Sequence, residues 1–182
     1  EKSDRIGFML RQILLGTRNA SRIGLVRSIL RGWPVEILTL DGLDIRAEVE
    51  ENGRSTAENA ELKARAYFGL SGIPTLALDG GLHIDRFPPE RQPGPQVRRQ
   101  TGLTPGAGDH ELLDYYCRAL ETVGGESPGT WTGSNALAFS AERVVVETFT
   151  FAVRFTTRRK GDPQPGLSLD PIMIDPASGK YF

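Results

Sequence analysis

The sequence predicts an α/β fold in which a mixed β-sheet is flanked by helices and extended by a long β-hairpin. In the first half, short apolar runs typical of buried strands alternate with segments whose apolar residues recur at helical spacing. Residues 130–139 and 143–157 alternate like two strands joined by a tight turn. At 182 residues, the chain is predicted to form a single domain over residues 1–182.

The first predicted unit is a strand at residues 12–16 followed by a helix. Asn19 or Ser21 can cap this helix, since both side chains accept hydrogen bonds from backbone N–H groups of a first turn. Its expected apolar positions are Ile23, Val26, Ile29 and Leu30. A Gly-x-Pro sequence starting at Gly32 predicts the helix end, and residues 35–40 are predicted as the second strand.

A second helix is predicted from the capping-box spacing of Ser55 and Glu58. It should run to about Leu70, and its alanines allow its backbone to lie close to a sheet. A Gly-Ile-Pro break at residues 72–74 separates it from a third strand at residues 75–78.

Residues 86–108 contain five prolines, which predicts a long irregular loop or lid. Asp109 can cap a third helix after this loop, and Gly124 should end it. The helix has an apolar face formed by Leu112, Leu113, Tyr116, Leu120 and Val123.

Composition excludes several classes of function. A net charge of −1 gives no positive excess for binding polymeric nucleic acid. Cys117 is the only cysteine, so no intrachain disulfide can form and a reducing compartment is expected. No apolar run is long enough for a membrane span, which predicts a cytoplasmic protein. Residues 1–11 are interpreted as an extra N-terminal segment to which no function is assigned.

The loop at Thr17, Arg18 and Asn19 is the first candidate site. A loop between a buried strand and a helix presents free backbone N–H groups and the positive end of the helix dipole, which together attract phosphate. Arg22, one turn later, adds a positive charge. The alternative is that Asn19 is only a helix cap and that the arginines are solvated.

An acidic stretch ahead of the second helix is the next candidate, with Glu51 at its end and Lys63 further along. Carboxylates beside phosphate require a cation, so this interpretation implies Mg²⁺, while Lys63 would neutralise phosphate. The alternative is a charged loop leading to an amphipathic helix whose Lys63 points to solvent.

Asp79 and Gly80 follow an apolar strand, and ligands of open α/β sheets bind at the carboxyl ends of strands. The alternative is an ordinary Asp-Gly turn. Near the end of the chain, Asp170 could recognise a donor on a nucleobase edge, although Asp-Pro also commonly opens a turn.

In chain order, these segments resemble the motifs of the inosine triphosphate pyrophosphatase family. The matching segments are residues 17–22 (Thr-Arg-Asn-Ala-Ser-Arg), 51–53 (Glu-Asn-Gly), 58–64 (Glu-Asn-Ala-Glu-Leu-Lys-Ala), 78–82 (Leu-Asp-Gly-Gly-Leu), Pro93-Gly94 with Arg99, and 169–172 (Leu-Asp-Pro-Ile). The resemblance runs from about residue 12 to the end of these 182 residues. The Maf-like pyrophosphatases fit less well, because their opening motif is rich in Ser, Pro and Arg.

The resemblance implies a homodimer with an elongated, twisted sheet that hydrolyses a nucleoside triphosphate to its monophosphate and pyrophosphate with Mg²⁺. Glu51 and Asp79 would bind the metal or activate water. The residues implied to hold the substrate are Thr17, Asn19, Arg22, Lys63, Gly80, Arg99 and Asp170.

Several family positions differ in this chain. Leu78 replaces a carboxylate, Gly80 replaces a serine, and Leu167 replaces the aromatic residue on which the family stacks its base. The family's closing Ser-His-Arg segment has no match in these residues. We therefore also consider a catalytically impaired relative that binds nucleotides or a protein partner.

Overall fold

The computed structural model describes residues 10–182. In this part of the chain, the strands are β1 (Gln12–Leu15), β2 (Glu36–Thr39), β3 (Thr75–Ile84), β4 (Glu126–Ala138), β5 (Val144–Thr156) and β6 (Met173–Ile174). The helices are α1 (Ala20–Ile29), α2 (Thr56–Ser71) and α3 (Asp109–Glu121). Single 3₁₀ turns lie at Asp41–Leu43, Pro89–Arg91 and Asp170–Ile172. The predicted N-terminal segment of residues 1–11 lies outside the described residues except for its last two positions.

The strands form one mixed sheet in the order β2-β1-β3-β4-β5-β6. β1 is parallel to β2 and β3, whereas the other neighbours are antiparallel, so the predicted mixed sheet and long hairpin are confirmed. β1 pairs with β3 only at Leu14 and Leu15, which face Thr75 and Leu76. The remainder of β3 therefore extends past the carboxyl end of β1, where polar side chains can be presented to a ligand.

β3 is longer than the sequence predicted. It was expected to stop at Leu78, but it continues because residues 79–81 pair with residues 132–134 of β4. Gly81 allows the proline-rich loop to approach, since an added Cβ would lie 2.7 Å from the carbonyl oxygen of Gly94. The alternative that Asp79 and Gly80 form a turn is therefore wrong.

Helices α2 and α3 cover opposite faces of the sheet. Alternate residues of a strand point to opposite sides, and Ala77 of β3 packs against α2 whereas Ile84 packs against α3. Ala60 and Ala64 of α2 pack against Ala77 and its neighbours, which confirms the predicted close approach. On the other face, the predicted apolar side of α3 packs against β3 and β5. This cluster includes Leu112, Leu113, Tyr116, Leu120, Ile84, Val153 and Phe155.

Two details of the predicted helices are wrong. Gly108, rather than Asp109, is the N-cap of α3, and Asp109 is the first helical residue. α1 ends at Ile29, before the predicted Gly32, and Val26 is its only buried residue. Of the predicted apolar positions of α1, Ile29 is 64% exposed, whereas Ile23 and Leu30 are half-buried, so this face is only partly covered. No helix within residues 10–182 is both long and apolar enough to cross a membrane.

Candidate active site

A cavity of about 600 Å³ opens where β3 extends past β1. Seven of the residues predicted to bind metal or substrate line it, although they are distant in the chain: Asn19, Arg22, Glu51, Asp79, Gly80, Arg99 and Asp170. This volume is typical of small-molecule sites. The predicted motifs thus meet at one place, with Lys63 immediately behind the cavity wall and Thr17 at the start of α1.

Lys63 is at the centre of the charged part of this site. Its Nζ lies 2.7 Å from Oε1 of Glu51 and 2.9 Å from Oδ1 of Asp79. It also donates a hydrogen bond to the carbonyl oxygen of Leu78 at 2.9 Å. The Lys63 side chain is only 9% exposed, because it lies on the face of α2 that packs against β3. The alternative of a solvent-facing Lys63 is therefore wrong.

Arg99 connects the proline-rich loop to this cluster. Its Nη2 lies 2.7 Å from Oε2 of Glu51, and its Nη1 donates to the Glu51 backbone carbonyl at 2.5 Å. The two oxygens of the Glu51 carboxylate are therefore held by two different cations, Lys63 and Arg99. These contacts fix Glu51 at the cavity edge.

Burial changes the protonation equilibria of two side chains in the cluster. Burial raises the pKa of Asp79; the neighbouring Lys63 opposes this shift and the negative charge of Glu51 adds to it. Burial lowers the pKa of Arg22, although Asp79 and Glu51 partly restore it. Arg22 donates from Nη1 to the Leu78 carbonyl at 2.9 Å. This carbonyl thus holds the Arg22 and Lys63 cations side by side.

The start of α1 is closed by hydrogen bonds within the protein. The Asn19 side chain caps the helix by accepting from the Arg22 N–H at 3.0 Å, and its Nδ2 donates to the Gly166 carbonyl at 3.2 Å. Thr17 Oγ1 accepts from the Asn19 N–H at 3.1 Å. Arg18 turns away and donates to the Ile45 carbonyl at 2.6 Å. Of the basic residues in this motif, Arg22 therefore faces the cavity.

Asp109 is a structural residue of the site that the sequence analysis missed. Its carboxylate accepts hydrogen bonds from Arg98 Nη2 at 2.5 Å, from the Gly166 N–H at 3.0 Å and from the Ser168 hydroxyl. Burial alone would raise its pKa, but these hydrogen bonds lower it on balance. No local pattern could have found this cluster, because Ser168 is 59 positions away from Asp109.

Glu51 and Asp79 can offer oxygen ligands to a cation. Within residues 10–182, no three His, Cys, Asp or Glu side chains are close enough to form a metal site by themselves. The two carboxylates nevertheless meet at a single ammonium group, so both can reach one cation. Mg²⁺ typically uses one or two carboxylates and takes its other ligands from phosphates and water. The two carboxylates therefore fit one divalent cation only if other groups supply its remaining ligands.

The fold and the cavity define an α/β protein with a cleft at the carboxyl end of its parallel strands, lined by arginines and carboxylates. Residues 13–182 match the model of the Ham1 family, and the chain belongs to that family.

Several relatives carry the name dITP/XTP pyrophosphatase. The protein from Nitratidesulfovibrio vulgaris is 31% identical over 93% of this chain and 82% of its own length. The protein from Leptospira interrogans serovar copenhageni is 38% identical over 96% of this chain and 85% of its own length. The predicted family is therefore confirmed.

Solved structures show the same fold. A HAM1 protein from Coxiella burnetii superposes with a TM-score of 0.75 at 23% identity, covering 93% of this chain and 84% of that protein. The Ham1 protein of Staphylococcus aureus gives a TM-score of 0.71 at 21% identity, with the same coverage of 93% and 84%.

Proposed function

We propose that this chain hydrolyses a deaminated purine nucleoside triphosphate, such as inosine or xanthosine triphosphate, to the monophosphate and pyrophosphate. Such a reaction would remove damaged nucleotides from the cellular pool. The observation that carries the proposal is the cluster of Arg22, Glu51 and Asp79 at the cavity, around the buried Lys63 ammonium. The names of the relatives, dITP/XTP pyrophosphatase, support the choice of substrate.

In the proposed complex, Arg22 and Lys63 neutralise the triphosphate, and Arg99 reaches it from the proline-rich loop. Gly80 takes part through its lack of a side chain, which leaves room for the Trp131 ring and the Arg22 guanidinium at the cavity wall. Thr17 and Asn19 act mainly by holding the start of α1, since their side chains are engaged within the protein. Asp170 contacts the base edge. Catalysis then consists of positioning and charge neutralisation around the attacked α-phosphorus.

We propose Mg²⁺ as the cofactor, held by Glu51 and Asp79 together with substrate phosphates. The ion would supply charge neutralisation and lower the pKa of an attacking water. Asp79 can serve as a ligand or a base only in its ionised form, which burial disfavours and the neighbouring Lys63 ammonium favours. The Lys63 ammonium must move from its position between the carboxylates toward phosphate oxygens when substrate binds.

The test is pyrophosphate release from a panel of ordinary and deaminated nucleoside triphosphates with Mg²⁺. Asp79→Asn should reduce kcat by about 10²- to 10⁴-fold, as expected for loss of a residue acting in proton transfer or charge stabilisation. Asp85→Asn is a matched control, because Asp85 follows the same strand but its side chain is 53% exposed. Equal rates for wild type and Asp79→Asn would contradict the proposal.

A second candidate is a nucleotide-binding relative with little or no turnover. Leu78 favours it, because this position contributes only its carbonyl to the cluster and no carboxylate to a metal. Calorimetry would then show triphosphate binding without pyrophosphate release. Efficient turnover by the wild-type chain would exclude this candidate.

We also propose a cytoplasmic homodimer that binds neither polymeric nucleic acid nor membranes. Apolar side chains on and just after α1 support self-association, since Leu25 is 56%, Ile29 64% and Trp33 69% exposed. A reducing compartment agrees with Cys117 as the only cysteine. Analytical ultracentrifugation tests the assembly, and a monomer at every concentration would contradict it.

A further inference from the structure

One wall of the cavity is aromatic and is formed by the β4–β5 hairpin. Trp131 on β4 and Phe149 and Phe151 on β5 line the same cavity as Arg22. Trp131 faces Phe151 across the strands, and their rings stack with centroids 6.4 Å apart and planes 20° apart. Phe149 is 49% exposed, and Trp131 is only partly buried. The wall therefore presents aromatic surface that the protein core does not cover.

Two glycines provide the space that these rings occupy. Gly80 of β3 pairs with Gly133 of β4, and Gly133 pairs in turn with Phe149 of β5. A Cβ on Gly80 would lie 2.7 Å from Cζ2 of Trp131, and one on Gly133 would lie 2.7 Å from Cε2 of Phe149. Side chains at either glycine would displace a ring, so the glycines and the aromatic wall depend on each other.

The aromatic wall meets the cationic part of the cavity at Gly80. A Cβ added at Gly80 would lie 3.4 Å from Nη2 of Arg22 as well as 2.7 Å from the Trp131 ring. The guanidinium and the indole therefore lie close to the same point. A ligand that matches both must combine an anionic group with a flat, apolar ring. A nucleoside triphosphate has this combination, because bases stack on aromatic side chains while phosphates bind cations.

We propose that the Trp131 indole, with Phe149 beside it, is the surface on which the base stacks. It would replace the aromatic residue whose position Leu167 occupies. Leu167 is aliphatic and 40% exposed, so it offers apolar contact without an aromatic face. Asn135 and Asp170 line the same cavity and supply polar groups for the base edge. The inference relies on the proposed function for the identity of the ligand.

The test measures binding rather than turnover. The first probe is an inosine triphosphate analogue with a non-hydrolysable α,β-methylene bridge, and the second is tripolyphosphate, which has no base. The sequence has two tryptophans, and Trp33 is 69% exposed beyond α1, so Trp33→Phe leaves Trp131 as the only indole reporter. The analogue should quench Trp131 fluorescence, whereas tripolyphosphate should leave it nearly unchanged.

Variants at Trp131 supply the quantitative comparison. Trp131→Ala should raise the Kd of the analogue roughly tenfold or more, the range expected for loss of one base–aromatic stack. The Kd of tripolyphosphate should not change, which also shows that the variant folds. Trp131→Phe keeps an aromatic face and should recover most of the affinity for the analogue.

Three results would overturn the inference: an unchanged Kd of the analogue in Trp131→Ala, an equal loss for both probes, or a changed oligomeric state in this variant. The last result would assign the aromatic wall to contacts between copies of the chain. If one of these three results is obtained and the wild-type chain still releases pyrophosphate, the proposed function remains intact. Base-dependent binding without any release would instead contradict the proposed function alone.

Discussion

Lys63→Met should strongly destabilise the protein, because Lys63 is the cation between two carboxylates. Its Nζ lies 2.7 Å from Glu51 and 2.9 Å from Asp79, and its side chain is 9% exposed. Removing one partner of a buried ion pair leaves uncompensated charge and costs about 3–5 kcal/mol. Glu51 keeps its contact with Arg99 and is 27% exposed, so we expect about 3 kcal/mol, the lower end of the range.

Urea unfolding at neutral pH measures this free energy. Arg65→Met is the matched control, since Arg65 lies two positions further along α2 in an exposed i,i+4 pair with Glu61 at 2.8 Å. Such a pair is worth about 0.3–0.5 kcal/mol. Arg65 also donates from Nη1 to the Ala141 carbonyl at 2.7 Å, which adds about 1 kcal/mol and keeps the expected loss below that of Lys63→Met. Equal losses for the two variants would refute the assignment of Lys63 as a buried charge partner.

Magnesium supplies a second readout for the same variant. Without the ammonium, the Glu51 and Asp79 carboxylates become available together to a divalent cation. Mg²⁺ added without nucleotide should therefore raise the Tm of Lys63→Met more than that of the wild type, because ligands that bind only the folded state stabilise it. The same Tm increase in both proteins would show that these carboxylates do not bind the metal.

Further predictions concern the Asp109 cluster and two glycines. Asp109→Asn should lower stability at pH 7 by about 1 kcal/mol, since it weakens partly exposed, charge-assisted hydrogen bonds. The pKa of Asp109 is lower in the folded protein than in the unfolded chain. The ionised carboxylate therefore stabilises the folded state at pH values above the unfolded pKa, and this stabilisation is lost as the pH falls through the folded pKa. The difference from wild type should thus shrink in urea unfolding below about pH 4, and a constant difference would contradict the assignment. Gly129→Ala should cost about 2 kcal/mol or more, because the added Cβ would overlap the His83 carbonyl oxygen and lie 2.8 Å from Phe155. Gly24→Ala should instead stabilise by about 0.5–1 kcal/mol, because Gly24 lies in α1 and an added Cβ would meet no atom within 4 Å apart from its chain neighbours and the backbone of its own helix. Thermal unfolding that ranks the two glycine variants in the opposite order would refute this reasoning.

Local signals were sufficient to predict most of the secondary structure. Asn19 and Ser55 cap their helices as predicted, because capping depends on residues only a few positions apart. The hairpin was also predicted from its own alternation, although β4 begins at Glu126 rather than residue 130. Pro128 and Gly129 hid this start, since both are unfavourable in strands.

The extent of β3 and the roles of the cleft residues required long-range contacts. Asp79 and Gly80 have the composition of a turn, and only their partners on β4 keep them in a strand. Glu51 could be singled out by its motif, but its simultaneous contacts with Lys63 and Arg99 depend on three separate segments. Trp131 carries no local signal at all, because the space that its ring occupies at the cavity depends on Gly80 in a different strand.

The hydrogen bonds between the start of α1 and the loop at Pro165 and Gly166 have a consequence for folding. Asn19 and Ser21 bond to Gly166 and Pro165, across 147 and 144 positions of the chain. Forming contacts between such distant residues costs more chain entropy than pairing the adjacent strands β4 and β5. These contacts are therefore expected to form late in folding. We therefore expect the ligand cleft to be the last region to assemble. A polyphosphate that contacts both walls of the cleft would therefore stabilise the folded state by connecting these two distant segments of the chain.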